Sequence, residues 1–201
     1  MPDSRKATVN VLLDLDGTLT DSREGIILCM QHALRVLGRE VPDADALLPI
    51  IGPPFRIAFR QLLPGATDAE VERAIEVYRE RFVPVGMFEN RVYAGVPESL
   101  ERLRERGARL FVATSKPQVF ARRILEHFQL GHHFEEIYGS ELDGGLGDKA
   151  ELIAHALAAS RLKAADSIMV GDRHHDTAGA IANGVKPVGV LHRCLQSATP
   201  A

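Results

Sequence analysis

No apolar stretch in this 201-residue chain approaches the roughly 20 residues needed to cross a bilayer. The opening residues, Met1 to Lys6, lack the apolar run and small-residue cleavage site of a secretory leader. Lysines and arginines are scattered without a long basic run, and the formal net charge of -3 is too weak to draw a polyanion such as nucleic acid. Cysteine is scarce: Cys29 and Cys194 stand far apart and offer no metal spacing. Cys29 falls within an apolar helical pattern and reads as a buried thiol. Internal repeats and low-complexity tracts are also absent. These absences point to a cytoplasmic protein in a reducing compartment, with no membrane or nucleic acid partner. They leave the oligomeric state open.

What is present is the composition of an ordinary globular protein, long enough for one compact domain with a modest insertion. Five short apolar segments read as strands: Thr8–Leu13, Arg109–Ala113, Glu136–Tyr138, Ser167–Val170 and Pro187–Leu191. Their near-continuous apolar character suits strands covered on both faces. Helical segments separate them. One follows Pro97 and stops at Gly107, and one opens at Pro117. A third starts at Asp148 with Glu151 placed as in a capping box. Strand–helix alternation predicts a doubly wound α/β fold with a parallel sheet.

The stretch between the first two strands is too long for a crossover. From Thr20 to Glu89 the pattern is almost purely helical. Ile26, Ile27, Met30, Ala33, Leu34 and Leu37 form one stripe closed by Gly38. Phe55 to Leu63 suggests another helix, and Thr67 with Glu70 forms a capping box ahead of a third. The prediction is a catalytic core of residues 1–19 and 90–201, with a helical cap over 20–89.

The first strand ends in Asp14-Leu15-Asp16-Gly17-Thr18. Alternation puts Asp14 and Asp16 on the same side. Two carboxylates at the end of a buried strand need a cation or hydrogen bonds, unless they only cap a tight Asp-Gly turn. The fourth strand runs through Gly171 into Asp172, with Asp176 one helical turn later. That pair could be an ordinary helix N-cap with a nearby acid. If strands one and four are neighbours at the point where strand order reverses, four carboxylates converge on one crevice. Oxygen ligands of that kind favour a hard cation such as Mg²⁺.

The second strand ends in Thr114-Ser115-Lys116, a hydroxyl and backbone N–H groups ahead of a helix. Lys149 starts another helix. It is either a solvated lysine or one that holds a phosphoryl oxygen or restrains Asp14. The loop Asp143-Gly144-Gly145-Leu146-Gly147 lacks the order of a nucleotide P-loop and reads as a connector. His132-His133 and His174-His175 have no third soft ligand and read as exposed or supporting residues. Arg56 and Arg60 follow Gly52-Pro53-Pro54-Phe55. They are surface arginines, or Arg56 reaches a substrate's leaving group.

Asp14-Leu15-Asp16-Gly17-Thr18, the Thr114 strand end, Lys149 and Gly171-Asp172-Arg173-His174-His175-Asp176 resemble, in order, the four motifs of the haloacid dehalogenase superfamily. The helical insertion resembles the phosphoglycolate phosphatase-like branch. Ala113-Thr114-Ser115-Lys116-Pro117 and Gly139-Ser140-Glu141-Leu142-Asp143-Gly144 resemble its 5′-nucleotidase-like subgroup. The resemblance implies a Rossmann-like core with strand order 5-4-1-2-3. It also implies a Mg²⁺-dependent phosphatase for a small phosphorylated metabolite, either 2-phosphoglycolate or a nucleoside 5′-monophosphate. Asp14 would be the nucleophile and Asp16 the general acid–base. Asp14, the Asp16 carbonyl, Asp172 and Asp176 would hold the metal. Thr114 and Lys149 would stabilise the transferring phosphoryl group, with Ser115, Lys116 and Arg56 as candidate substrate contacts.

Asp16 also distinguishes the chain from the dehalogenases, which generally lack that second acid. The insertion contains no lysine, unlike a phosphonate-cleaving relative. A sugar-phosphate mutase and a non-catalytic binding protein are the alternatives on this scaffold. Members of the superfamily usually continue past the fifth strand into a loop and helix, whereas Leu191 is followed here by a polar tail that reads as a frayed end.

Overall fold

The computed structural model describes residues 8–51 and 55–191. In chain order the elements are β1 (Asn10–Leu13), β2 (Thr20–Asp21), α1 (Arg23–Val36), α2 (Ala44–Leu47), α3 (Phe55–Leu62), α4 (Asp68–Arg81), β3 (Arg91–Val92), α5 (Val96–Glu105), β4 (Arg109–Pro117), α6 (Gln118–His127), β5 (Glu136–Ser140), α7 (Lys149–Ala159), β6 (Ser167–Gly171), α8 (His174–Ala182) and β7 (Lys186–Gly189). Gly52, Pro53, Pro54, Cys194 and the C-terminal tail lie outside the described residues.

Strands β5, β4, β1, β6 and β7 form one sheet in that order, with every pair parallel. This is the expected order of the five main strands, read from the opposite edge. Alternation along β1 explains why the sheet is apolar on both faces. Val11 and Leu13 join one buried cluster with α1, α4 and α6, while Leu12 joins another with α7 and α8. The order reverses at β1, so its carboxyl end opens into the crevice between β4 and β6.

Local signals account for the helix ends. Thr67 and Glu70 make both halves of the capping box of α4. Pro97 lies in the first turn of α5. The Asp148 carboxylate accepts from the N–H groups of Ala150 and Glu151 to start α7. Gly38 ends the first helical stripe at φ 64°. Among the described residues no helix is long and apolar enough to cross a membrane.

The chain leaves the sheet through β2 and returns through β3, which pair antiparallel with Thr20 opposite Val92. Helices α1 to α4 all lie between these two short strands. A π-helical turn, Phe82–Gly86, follows α4. It brings the Gly86 carbonyl against α1, where a Cβ on Gly25 would sit 2.0 Å from that oxygen. Cys29 is fully buried beside this contact, and burial pushes its thiol pKa up. Gly25→Ala should cost about 1–3 kcal/mol of stability through overpacking. Urea unfolding measures it, and an unchanged midpoint would mean that the contact is slack.

Candidate active site

Strand β1 places Asp14 at its carboxyl end, where the Asp14 N–H donates to the Val170 carbonyl at 2.9 Å. This bond ties the ends of β1 and β6 together. Asp172 follows β6, and Asp176 lies in the first turn of α8. Asp14, Asp172 and Asp176 each place a carboxylate oxygen within 4.8 Å of the other two. The approach depends on two glycines. A Cβ on Gly17, at φ 86°, would meet Asp172 Oδ2 at 2.3 Å, and one on Gly171 would meet Asp176 Oδ2 at 2.2 Å.

Lys149, at the start of α7, is buried in this cluster. Its ammonium lies 2.9 Å from Asp14 Oδ1, 3.0 Å from the Ala113 carbonyl and 2.8 Å from Asp176 Oδ1. Two of these are hydrogen bonds and the third, to Asp176, is an ion pair, so Lys149 is buried against Asp14 and is not a solvated helix-start lysine. Burial alone presses Lys149 to release its proton, but Asp14 and Asp176 outweigh it and hold its pKa above the ordinary lysine value. Burial, followed by the Asp14 charge, raises both Asp172 and Asp176.

Three carboxylates face one buried ammonium, Lys149, and one half-exposed guanidinium, Arg173, 3.7 Å from Asp172, so the trio keeps a net negative charge when all are ionised. A clustered oxygen donor set with that charge fits a divalent cation.

The Asp16 carboxylate is not part of this trio. Its Oδ2 lies 2.7 Å from the Lys116 ammonium. Asp14, Asp16, Thr114, Ser115, Lys116, Lys149 and Arg56 all line one cavity of about 540 Å³, which continues between Met30, Phe55 and Ile75. Thr114 is buried, and Ser115 is exposed. Arg56 is at the rim: Nε lies 2.5 Å from Glu72, and Nη1 donates to the Asp143 carbonyl at 3.1 Å. Arg60 pairs with Asp68 on the surface. The paired histidines are largely exposed or half-buried, and His175 reaches the cavity wall.

Sequence reasoning gave no role to Arg79 and Arg173. Arg79 Nη2 donates to the Leu142 carbonyl at 2.9 Å, and Arg173 Nη1 donates to the Ile51 carbonyl at 2.6 Å. Both join the inserted helical segment to loops of the sheet region. Arg79 lies on a helix rich in charge, and Arg173 follows an aspartate that draws attention first, so neither stands out before the contacts are seen.

Lys149→Met should destabilise the protein by about 3–5 kcal/mol, the usual cost of stripping one partner from a buried ion pair. Denaturant unfolding without divalent cation tests this, and a loss below about 1 kcal/mol would contradict the buried network.

The sequence model of the haloacid dehalogenase-like hydrolases matches residues 11–190. A 5′-nucleotidase of Pseudomonas aeruginosa is 50% identical over 190 residues, covering 94% of this chain and 86% of that protein. A Mycobacterium tuberculosis protein named tyrosine-protein kinase PtkA is 44% identical over 180 residues, covering 90% of this chain but only 61% of its own length. The crystal structure of a predicted phosphatase from Clostridium acetobutylicum superposes with a TM-score of 0.85 at 42% identity, covering 90% and 84% of the two chains. With a family match over nearly its whole length, the chain belongs to the haloacid dehalogenase-like hydrolases.

Proposed function

We propose that this protein is a Mg²⁺-dependent phosphatase that hydrolyses nucleoside 5′-monophosphates through an aspartyl-phosphate on Asp14. The observation that carries the reading is the cluster beyond the carboxyl ends of β1 and β6, three carboxylates of which two, Asp14 and Asp176, are held by the buried Lys149. A phosphate dianion cannot approach such a site without added positive charge. Mg²⁺ held by Asp14, the Asp16 carbonyl, Asp172 and Asp176 would supply that charge.

Lys149 keeps Asp14 fixed, so the nucleophile reaches phosphorus without searching rotamers. As the Asp14–phosphorus bond forms, the bond to the leaving oxygen breaks. Asp16 gives that oxygen its proton. Water then attacks phosphorus and returns a proton to Asp16, and phosphate leaves with Asp14 restored. The Thr114 hydroxyl, on β4 where its pairing with β5 slips, serves the transferring phosphoryl oxygens.

The cavity supports the choice of substrate. About 540 Å³ with apolar walls at Met30, Phe55 and Ile75 suits a base and ribose. A two-carbon phosphate ester would leave most of it empty. In this reading residues 1–19 and 90–201 are the catalytic core and 20–89 the cap. Closure of the cap excludes water during attack, and Arg56 holds the distal part of the substrate.

Phosphate release from a metabolite panel tests the proposal. Activity should require Mg²⁺, vanish with chelator and vanish in Asp14→Asn while the protein stays folded. Full turnover in excess EDTA would sink it. Arg56→Ala should lower kcat/KM for the preferred nucleotide by about tenfold, the usual scale of a lost charged hydrogen bond. It should leave para-nitrophenyl phosphate unchanged. Equal loss on both esters would place Arg56 at the phosphoryl group or in the packing of the cap.

A second reading has one finding behind it, the 44% identity to the protein named as a tyrosine kinase. There the phosphoryl group would pass to a tyrosine hydroxyl in place of water. Labelled ATP offered with a tyrosine peptide separates the two: label on the peptide favours transfer, and label in free phosphate favours hydrolysis.

A further inference from the structure

We propose that Lys116 is a positioning residue that holds Asp16 so that its Oδ1 exchanges the proton, an inference that rests on the acid–base role proposed above for Asp16. The Lys116 ammonium lies 2.7 Å from Asp16 Oδ2, and its side chain is only 5% exposed. A charge this buried has to be balanced inside the protein. The other oxygen, Asp16 Oδ1, is buried and has no hydrogen-bond partner among the described residues. An orphaned carboxylate oxygen is costly to maintain. It is explained if a visiting group, the leaving oxygen or the attacking water, is its partner. The two oxygens are thus divided, one anchored and one kept for chemistry.

Lys116 is itself held from two directions. Its ammonium lies 5.0 Å from the centre of the Phe82 ring, within the range of a cation–π contact. That ring stacks on Tyr78 at 5.3 Å and meets the edge of Phe120 at 5.5 Å, so it cannot turn freely. Phe82 opens the π-helical turn after α4, a backbone irregularity of the kind often found at functional sites. On the strand side, the pairing of β4 with β5 slips between Thr114 and Pro117. Such a bulge re-aims a side chain at the end of a strand. Both irregularities meet at the Lys116 ammonium.

A substrate contact at Lys116 would raise KM for every ester. A positioning role acts through Asp16 and so depends on how much protonation the leaving group needs. The test compares a primary alkyl phosphate with para-nitrophenyl phosphate in Lys116→Met, Asp16→Asn, the double variant and Phe82→Leu. Lys116→Met should lose about 10- to 10²-fold in kcat on the alkyl ester and less than about threefold on the activated ester, a share of the 10²–10⁴ usual for acid–base catalysis. The double variant should be no slower than Asp16→Asn alone. Phe82→Leu should shift the ratio of the two esters the same way by a smaller factor.

Equal loss on both esters, a rise in KM with kcat unchanged, or losses that multiply with those of Asp16→Asn would overturn the inference. Should Lys116→Met not fold, Lys116→Gln is judged by the same ratio. The underlying reading is judged separately, because Asp16→Asn losing equally on both esters would remove the acid–base role itself.

Discussion

The site depends on two buried aspartates, Asp14 and Asp176, held by one buried lysine, with the half-buried Asp172 beside them. Water screens these carboxylates poorly, and each raises the cost of ionising the others. Lys149 offsets one charge and fixes the geometry of Asp14 and Asp176. The remaining negative charge suits a cation, and burial, followed by the Asp14 charge, raises the pKa of both Asp172 and Asp176. The fold supplies the closeness: β1 and β6 are paired neighbours, and each carries aspartates beyond its carboxyl end. Gly17 and Gly171 leave no side chain where the carboxylates must pass.

The inserted helices depend on the same place. They begin seven residues after Asp16 with Arg23, and the chain on both sides is pinned by the β2–β3 pair. One apolar cluster runs without a break from the sheet through α1 to α3 and α4. Across the cavity the contacts are of another kind. Arg56 and Arg79 reach the carbonyls of Asp143 and Leu142, and Arg173 reaches that of Ile51. Guanidinium-to-carbonyl bonds of this kind exchange readily with water, so they hold this side of the cavity less firmly than the apolar cluster holds the other.

Much of this was legible in the sequence. Apolar runs located the five main strands; β1 and the strands beside it, buried on both faces, lose their polar alternation, whereas β7 at the sheet edge is apolar but largely exposed. Thr67 with Glu70, Pro97 and Asp148 marked helix starts by local chemistry alone. Asp14, Asp16, Asp172 and Asp176 stood out because acids at the ends of buried strands are hard to explain otherwise. The β2–β3 pair was not legible, since two residues carry no period. The π-helical turn has no separate sequence signature. The Lys116–Asp16 pair spans 100 positions, and from the sequence its lysine read only as a candidate substrate contact. Arg79 and Arg173 look like surface residues until their partners are known.

The most direct measurement is chemical trapping of Asp14 during turnover. Borohydride reduces an acyl phosphate to the alcohol, converting a phosphorylated aspartate into homoserine. Enzyme quenched with borohydride during turnover with Mg²⁺ and substrate should carry homoserine at position 14 and at no other aspartate. Homoserine at Asp16 or Asp172, or none at any position while phosphate is being released, would contradict covalent catalysis by Asp14.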